Sequence, residues 1–298
     1  MSNFERPRKL LKEIKIFFEL TKVKISCFAA LSTFAGFILA YRGLSKNMIL
    51  PGLGVFFLAS GSCALNQYQE RRNDQWMKRT QGRPLPAKKL SPSTALGISF
   101  GLLLLGSVIL YVGAHGSALG LGVFAVFWYN GVYTPLKRKS AFAAIPGALI
   151  GIIPPFIGWV SGKAFFSLDP QILAISFFFF MWQVPHFWLL LLKSGRDYEK
   201  AGLPSLTKRF TPAQLRRVTL MWIFGTAAAC MMIPLYGMVE SNLIHGSLFI
   251  VAFWLVWKTM KLVATQRHPF FSETIFKTIN FYAVMVMILL TLDHLIPS

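Results

Sequence analysis

The chain has 298 residues, of which 54% are hydrophobic and only 14% charged. Soluble domains carry nearer a quarter charged residues, so this composition excludes a soluble globular protein and indicates an integral membrane protein. The formal net charge of +20 raises nucleic acid as a partner, but the placement of the charges along the chain argues against it.

The first 23 residues form a basic amphipathic segment with no small-residue cleavage site, so they read as a retained segment and not a signal peptide. Apolar runs of spanning length then recur at roughly 24–41, 49–69, 94–112, 117–134, 143–160, 170–193, 218–237, 243–262 and 274–293. The expected architecture is therefore all-α and polytopic, a single domain over 1–298 with nine transmembrane helices. Ile153-Pro-Pro155 within the fifth run reads as a kink or an interruption. The cysteines Cys27, Cys63 and Cys230 fall within apolar runs and read as buried and unpaired.

Positive charge sets the expected orientation. Of the 31 Lys and Arg residues, only Arg42, Lys46 and Lys163 fall in the loops on one side; the segments 1–24, 71–89, 137–139, 193–217 and 258–277 hold the rest. The N-terminus is thus expected in the cytoplasm and the C-terminus outside, a parity that nine spans satisfy. The basic sum is a topology signal before it is a ligand signal.

Three stretches on the cytoplasmic side carry unusual chemistry. Asn66, Glu70, Asp74 and Lys78 recur every four residues at the inner end of the second run, which on a helix places them in one slowly drifting column. Oxygen ligands so spaced suit Mg²⁺, which takes one or two carboxylates and completes its shell with water and substrate phosphates. Arg79 and Arg83 follow, and guanidinium groups recognise phosphate bidentately. The bland alternative is a solvated helix end with an Asp74–Lys78 ion pair. Against it, the chain has only eleven Asp and Glu, two of them are stacked here, and Asn66 lies at the apolar boundary where polar groups are costly.

The second stretch is Tyr133-Thr-Pro-Leu-Lys-Arg-Lys139, at the inner end of the fourth run. Alone it reads as an interfacial tyrosine with positive-inside residues. Beside the first stretch, Lys137 and Arg138 become candidate diphosphate or propionate contacts. The third is Trp182-Gln-Val-Pro-His-Phe-Trp188, followed by Lys193-Ser-Gly-Arg-Asp-Tyr-Glu199. A lone histidine on an apolar face is often a packing residue; here Gln183 lies one turn away and Pro185 loosens the helix, which favours a polar pocket around His186. Asp197 and Glu199 offer further cation ligands, but two residues apart they cannot share a helical face, and Asp197 is the better candidate. His115, His245, His268 and His294 form no zinc-type spacing, and there is no glycine-rich phosphate loop.

With these residues in view, Asn66-x-x-x-Glu-x-x-x-Asp74 resembles the first aspartate-rich motif of the UbiA-type intramembrane prenyltransferases. The blocks Asp74-x-x-Met-Lys-Arg-Thr-x-x-Arg-Pro-Leu-Pro86, Tyr133-Thr-Pro-Leu-Lys-Arg138, Gly151-x-x-Pro-Pro-x-x-Gly158, Trp182-Gln-x-Pro-His186 and Asp197-Tyr-x-x-Ala-Gly-x-Pro204 are more particular. Together they resemble the heme O synthase (protoheme IX farnesyltransferase) branch. The resemblance implies nine helices around a central cavity open to the cytoplasmic side, farnesyl diphosphate and heme B as substrates, and Mg²⁺ as cofactor. It implies Asn66, Glu70, Asp74 and Asp197 as the metal-binding catalytic set. Lys78, Arg79, Arg83, Tyr133, Lys137, Arg138 and Tyr198 become substrate contacts, with His186 against heme as a candidate axial ligand. Glu5, Glu13 and Glu19 among the basic N-terminal residues do not suit a transit peptide, so the expected setting is a bacterial inner membrane, with lipid around the chain, heme A synthase as a candidate partner protein and no nucleic acid. Two departures stand out: Arg72 occupies a place where relatives commonly carry a further acid, and Ala201 stands where other UbiA-type enzymes have a second aspartate. The number of Mg²⁺ ions stays open.

Two other functions compete. A UbiA-type enzyme acting on a quinone precursor would lack the Trp-Gln-x-Pro-His block. A membrane transporter, a different class, would place ionisable groups at several depths, whereas here they gather on one face.

Overall fold

A computed structural model of the chain describes residues 5–265 and 273–296, and within them every regular element is helical. The expected loop position of His268 lies outside the described residues. Helix α1 (Glu5–Thr21) leads into α2 (Val23–Tyr41), α3 (Ile49–Asp74), α4 (Pro92–Gly113) and α5 (Gly116–Val126). A π-helical stretch, Phe127–Tyr133, continues α5 directly into the short α6 (Thr134–Leu136). Then come α7 (Ala144–Gly147), α8 (Leu149–Lys163), α9 (Pro170–Lys193), α10 (Gly195–Lys200), α11 (Pro212–Met232), α12 (Asn242–Thr265) and α13 (Glu273–Asp293). Among the described residues, eight helical segments are long and apolar enough to cross a membrane. The expected run 117–134 is not one of those eight, because the helix there is divided by its π-helical turn. This is a multi-pass, all-α membrane protein.

The outward faces confirm the setting. Phe100, Leu104, Tyr111, Val112, Phe249, Ile250 and Phe253 are each at least 60% exposed, an apolar surface that only lipid would tolerate over such an area. Between helices the chain uses small residues, which let backbones approach when no water-driven force pulls them together. A Cβ on Gly158 of α8 would stand 2.0 Å from the Thr33 carbonyl oxygen of α2. One on Gly106 of α4 would stand 2.6 Å from the Leu58 nitrogen of α3. The other half of the bundle packs by large side chains: Trp159, Ile172, Phe178, Ile223, Leu248 and Tyr282 join α8, α9, α11, α12 and α13 in one core.

Three sequence expectations are corrected. Pro154 and Pro155 lie inside the continuous helix α8, so of the two readings the interruption does not fall there; it comes earlier, at Ala148 between α7 and α8. Helix α11 starts at Pro212, six residues before the apolar run, because Thr211 and Gln214 form a reciprocal capping box. Cys27 is exposed on the outer face of α2, whereas Cys63 and Cys230 are buried; all three are free thiols.

Candidate functional site

Helix α3 outlasts its apolar run and stays helical through Asp74, which carries Asn66, Glu70 and Asp74 on one buried face. Asp74 is fully buried and Asn66 and Glu70 nearly so. The column ends there. The backbone turns directly after Asp74, with the Met77 N–H and the Thr80 hydroxyl both donating to the Asp74 carbonyl at 3.3 and 2.9 Å. Lys78 therefore does not sit one turn above Asp74; it and Arg79 are exposed in the turns that follow. The Asp74–Lys78 pair of the bland alternative is not formed; Arg83 takes that place, its guanidinium returning to Asp74 Oδ2 at 2.7 Å.

Each member of the column has a defined neighbour. Asn66 donates through Nδ2 to Thr134 Oγ1 at 3.0 Å, and its Oδ1 faces the Lys22 ammonium at 3.4 Å. Glu70 pairs with Lys137 at 2.5 Å. Asp74 spends Oδ2 on Arg83, and its buried Oδ1 has no hydrogen-bond partner among the described residues. An orphaned carboxylate oxygen in a dry site is expensive, and such atoms mark places where a ligand completes the shell.

The oxygens of Asn66, Glu70 and Asp74 are hard donors of the kind Mg²⁺ takes. Among the described residues no three His, Cys, Asp or Glu side chains converge as a metal site, so protein carboxylates alone would not fill a coordination shell. That incompleteness fits a cation that keeps water and substrate phosphates among its ligands.

Cations surround the column. Burial lowers the Lys137 ammonium, but Glu70, followed by Tyr198 and Tyr133, outweighs it and holds this lysine above its ordinary value. Lys22 occupies the break between α1 and α2 in a left-handed conformation, with φ 48° and ψ 50°. Non-glycine residues adopt that conformation rarely, and it turns the side chain toward Asn66. Burial pushes the Lys22 ammonium below the usual lysine range. Sequence reasoning missed Lys22 because 44 positions separate it from Asn66.

The π-helical stretch aligns the opposite wall. Asn130 within it accepts from the Ser62 hydroxyl at 2.5 Å and donates to the Ser62 carbonyl and to Gln69 Oε1, at 3.0 and 3.2 Å. Arg138 donates to the Gln69 carbonyl and is otherwise exposed. Asn130 was also missed, though a lone amide inside an apolar run was a usable signal. Tyr133 is buried, stacks on Phe187 of α9 with ring centroids 5.7 Å apart, and lies 5.6 Å from the Lys137 ammonium.

The loop after α9 folds back toward the column. Tyr198 of α10 is buried with Met77 and Leu203, which docks α10 on the turns that follow α3. Glu199 is engaged by the Thr207 hydroxyl at 2.7 Å. Asp197 is half-buried in α10. His186 lies deeper in α9, with Nδ1 2.7 Å from Asn280 Oδ1 of α13. Asn280 is the third residue that the sequence reading did not single out. The structure thus brings together Asn66, Glu70, Asp74, Arg83, Tyr133 and Lys137, joins Tyr198 to their rim, and leaves Lys78, Arg79 and Arg138 on the exposed side.

Comparison with known proteins gives concordant findings. Residues 29–276 match the UbiA prenyltransferase family. A protoheme IX farnesyltransferase of Geobacter sulfurreducens is 32% identical over 277 residues, covering 92% of this chain and 97% of that protein. One of Bdellovibrio bacteriovorus is 37% identical over 230 residues, covering 74% and 78%. Among solved structures, a UbiA homolog from Archaeoglobus fulgidus bound to DMAPP and Mg²⁺ superposes with a TM-score of 0.69 at 14% identity, covering 93% of this chain and 98% of that one.

Proposed function

The chain belongs to the UbiA prenyltransferase family, and from that premise we propose that it transfers the farnesyl group of farnesyl diphosphate to a vinyl side chain of heme B, with addition of water, to give heme O and diphosphate. The observation that carries this reading is the near full-length likeness to protoheme IX farnesyltransferases, 32% identical over 92% of the chain. The geometry supplies the chemistry for it.

Asn66, Glu70 and Asp74 would hold Mg²⁺, with Asp74 Oδ1 as the vacant acceptor and Asp197 of α10 as a further oxygen donor. Bound there, the ion supplies Lewis-acid stabilisation of the charge that develops on the departing diphosphate. Lys22, Arg83 and Lys137 are the cations placed to bind the diphosphate oxygens, with Arg79 at the rim and Lys78 and Arg138 farther out. They act where charge develops, in a site that water does not swamp. Tyr133, stacked on Phe187, forms an aromatic wall beside this cluster. Its face favours the allylic cation and keeps water from it until the vinyl carbon attacks. Tyr198 buttresses the wall from the rim. His186 contacts heme as an axial ligand.

The remaining features follow the same reading. The stretch Gly116–Leu136 is the ninth span, widened by its π-helical turns, and the nine surround a central cavity open to the cytoplasmic side. Residues 1–298 form one prenyltransferase domain in a bacterial inner membrane, N-terminus inside and C-terminus outside, with 1–23 as a basic cytoplasmic segment. Heme A synthase, which would receive the product, is the candidate partner protein.

The test is heme extraction and mass analysis from membranes containing this chain, supplied with heme B, farnesyl diphosphate and Mg²⁺. A heme heavier by one farnesyl group plus water, absent with Asp74→Asn, is the expected result. Folded protein that leaves heme B unmodified but prenylates an aromatic acid would replace this reading with the quinone-precursor one.

A further inference from the structure

His186 is half-buried in α9, ringed by Trp182 and Phe276 with centroids 5.0 Å away and by Phe187 at 5.7 Å. Among the described residues its one hydrogen-bond partner is Asn280, whose Oδ1 lies 2.7 Å from Nδ1. The proton on that contact can be assigned from the rest of the network. Asn280 Nδ2 donates to the Phe276 carbonyl at 2.7 Å, one turn back along α13. A flipped amide would set two carbonyl oxygens against each other, so Oδ1 is the atom that faces the imidazole. A carbonyl oxygen only accepts, and therefore Nδ1 carries the hydrogen. In the neutral ring the lone pair is then on Nε2.

No hydrogen bond reaches Nε2 among the described residues, and the surroundings are aromatic. An imidazole with its Nδ1 hydrogen held by a second group and its Nε2 bare is the arrangement by which proteins present histidine to a metal. The ring is also connected to the column. Phe187, the next residue, stacks on Tyr133 at an interplanar angle of 12°, and Tyr133 borders Lys137, the partner of Glu70. One ladder of rings links the imidazole to the cluster that would hold the diphosphate.

We infer that Asn280 is a positioning residue that locks His186 in the Nδ1–H tautomer, so that Nε2 ligates the iron of the porphyrin substrate. The inference rests on heme B as acceptor. The alternative role for the pair is a simple clasp between α9 and α13, which would hold the helices but leave the electronic character of the imidazole without consequence.

The two roles separate spectroscopically. The full chain in lipid nanodiscs is loaded with heme B, without farnesyl diphosphate, and resonance Raman spectra of the ferrous form are recorded. The wild type is expected to show an iron–histidine stretching band. His186→Ala loses it, and added imidazole restores a band. Asn280→Asp, which keeps an acceptor and adds charge, moves the band to higher frequency; Asn280→Leu moves it lower and weakens heme affinity about tenfold. A clasp alone lowers the melting temperature of Asn280→Leu and leaves the frequency where it was, which overturns the inference. So does a band that survives in His186→Ala. If His186→Ala does not fold, the direction of the Asn280→Asp shift decides. Heme farnesylated at the wild-type rate with the band intact in His186→Ala sinks the inference alone. Wild-type protein that binds farnesyl diphosphate with Mg²⁺ but no heme sinks the porphyrin reading and the inference with it.

Discussion

The two ends of the helical bundle both carry buried or half-buried acids, and they treat them differently. At the end where α2, α8 and α13 finish, Asp293 accepts the backbone N–H groups of Glu240 and Ser241 at 2.8 and 3.0 Å, one on each oxygen. Asp169 at the same end accepts from the Trp159 indole and the Ser167 hydroxyl at 3.0 and 2.8 Å. Both carboxylates close loops; the buried Asp293 has each oxygen satisfied from within, and Asp169 is part-exposed. At the end where α3 finishes, Asp74 is fully buried but leaves Oδ1 without a partner among the described residues. A satisfied acid is a clasp, and an unsatisfied one is an invitation to a ligand.

That contrast is open to direct attack. Replacing Asp74 by Asn removes the carboxylate with its unpartnered oxygen, and turnover of heme B to heme O should fall by at least about 100-fold, the scale of losing one preorganised electrostatic contact. The melting temperature should fall as well, since Arg83 loses its ionised partner; a lower melting temperature with intact turnover would make Asp74 a clasp too. Lys137→Met is milder for the reaction, because Lys22 and Arg83 remain. A rise of about tenfold in the KM for farnesyl diphosphate is expected, and loss of stability by roughly 3 kcal/mol or more, as Glu70 is left buried and unpaired. Asp293→Ala should cost about 0.5–2 kcal/mol in thermal or denaturant unfolding, the worth of a helix cap, while leaving kcat/KM unchanged. Lys78→Ala sets the floor. Exposed beyond the end of α3, it should alter stability by no more than about 0.5 kcal/mol and kcat/KM by about twofold. A large kinetic loss there would show that the turns after Asp74 close over the substrate and bring this lysine in.

The sequence made some of this legible and hid the rest for physical reasons. Lipid forces spans to be long and apolar, so most of the helices could be read off the chain within a few residues. Asn66, Glu70 and Asp74 were legible because a helix turns a four-residue interval into contact. Lys78 obeyed the same interval and was misplaced, since nothing in the interval records where a helix stops. Arg83 was singled out as a phosphate contact, but its pairing with Asp74 depends on the Thr80 hydroxyl folding the turns back, a tertiary matter. Lys22 and Asn280 were hidden more deeply. Each meets its partner across tens of residues, and Lys22 does so through a left-handed backbone that no local pattern announces. The π-helical stretch was equally silent, although it is what turns Asn130 onto Ser62 and Tyr133 onto Phe187.

The pairing of Glu70 with Lys137 and of Asp74 with Arg83 has a consequence for how the protein is made. An acid pair left alone at the edge of lipid would cost several kcal/mol per ion, and a chain so built would have to wait for metal before it could settle. Here the charges are already matched from within, so insertion and folding can finish in a cell short of magnesium. Metal supply should then govern how fast the protein works and not how much of it accumulates, which quantifying membrane-extracted protein from magnesium-limited and replete cultures would reveal as equal amounts.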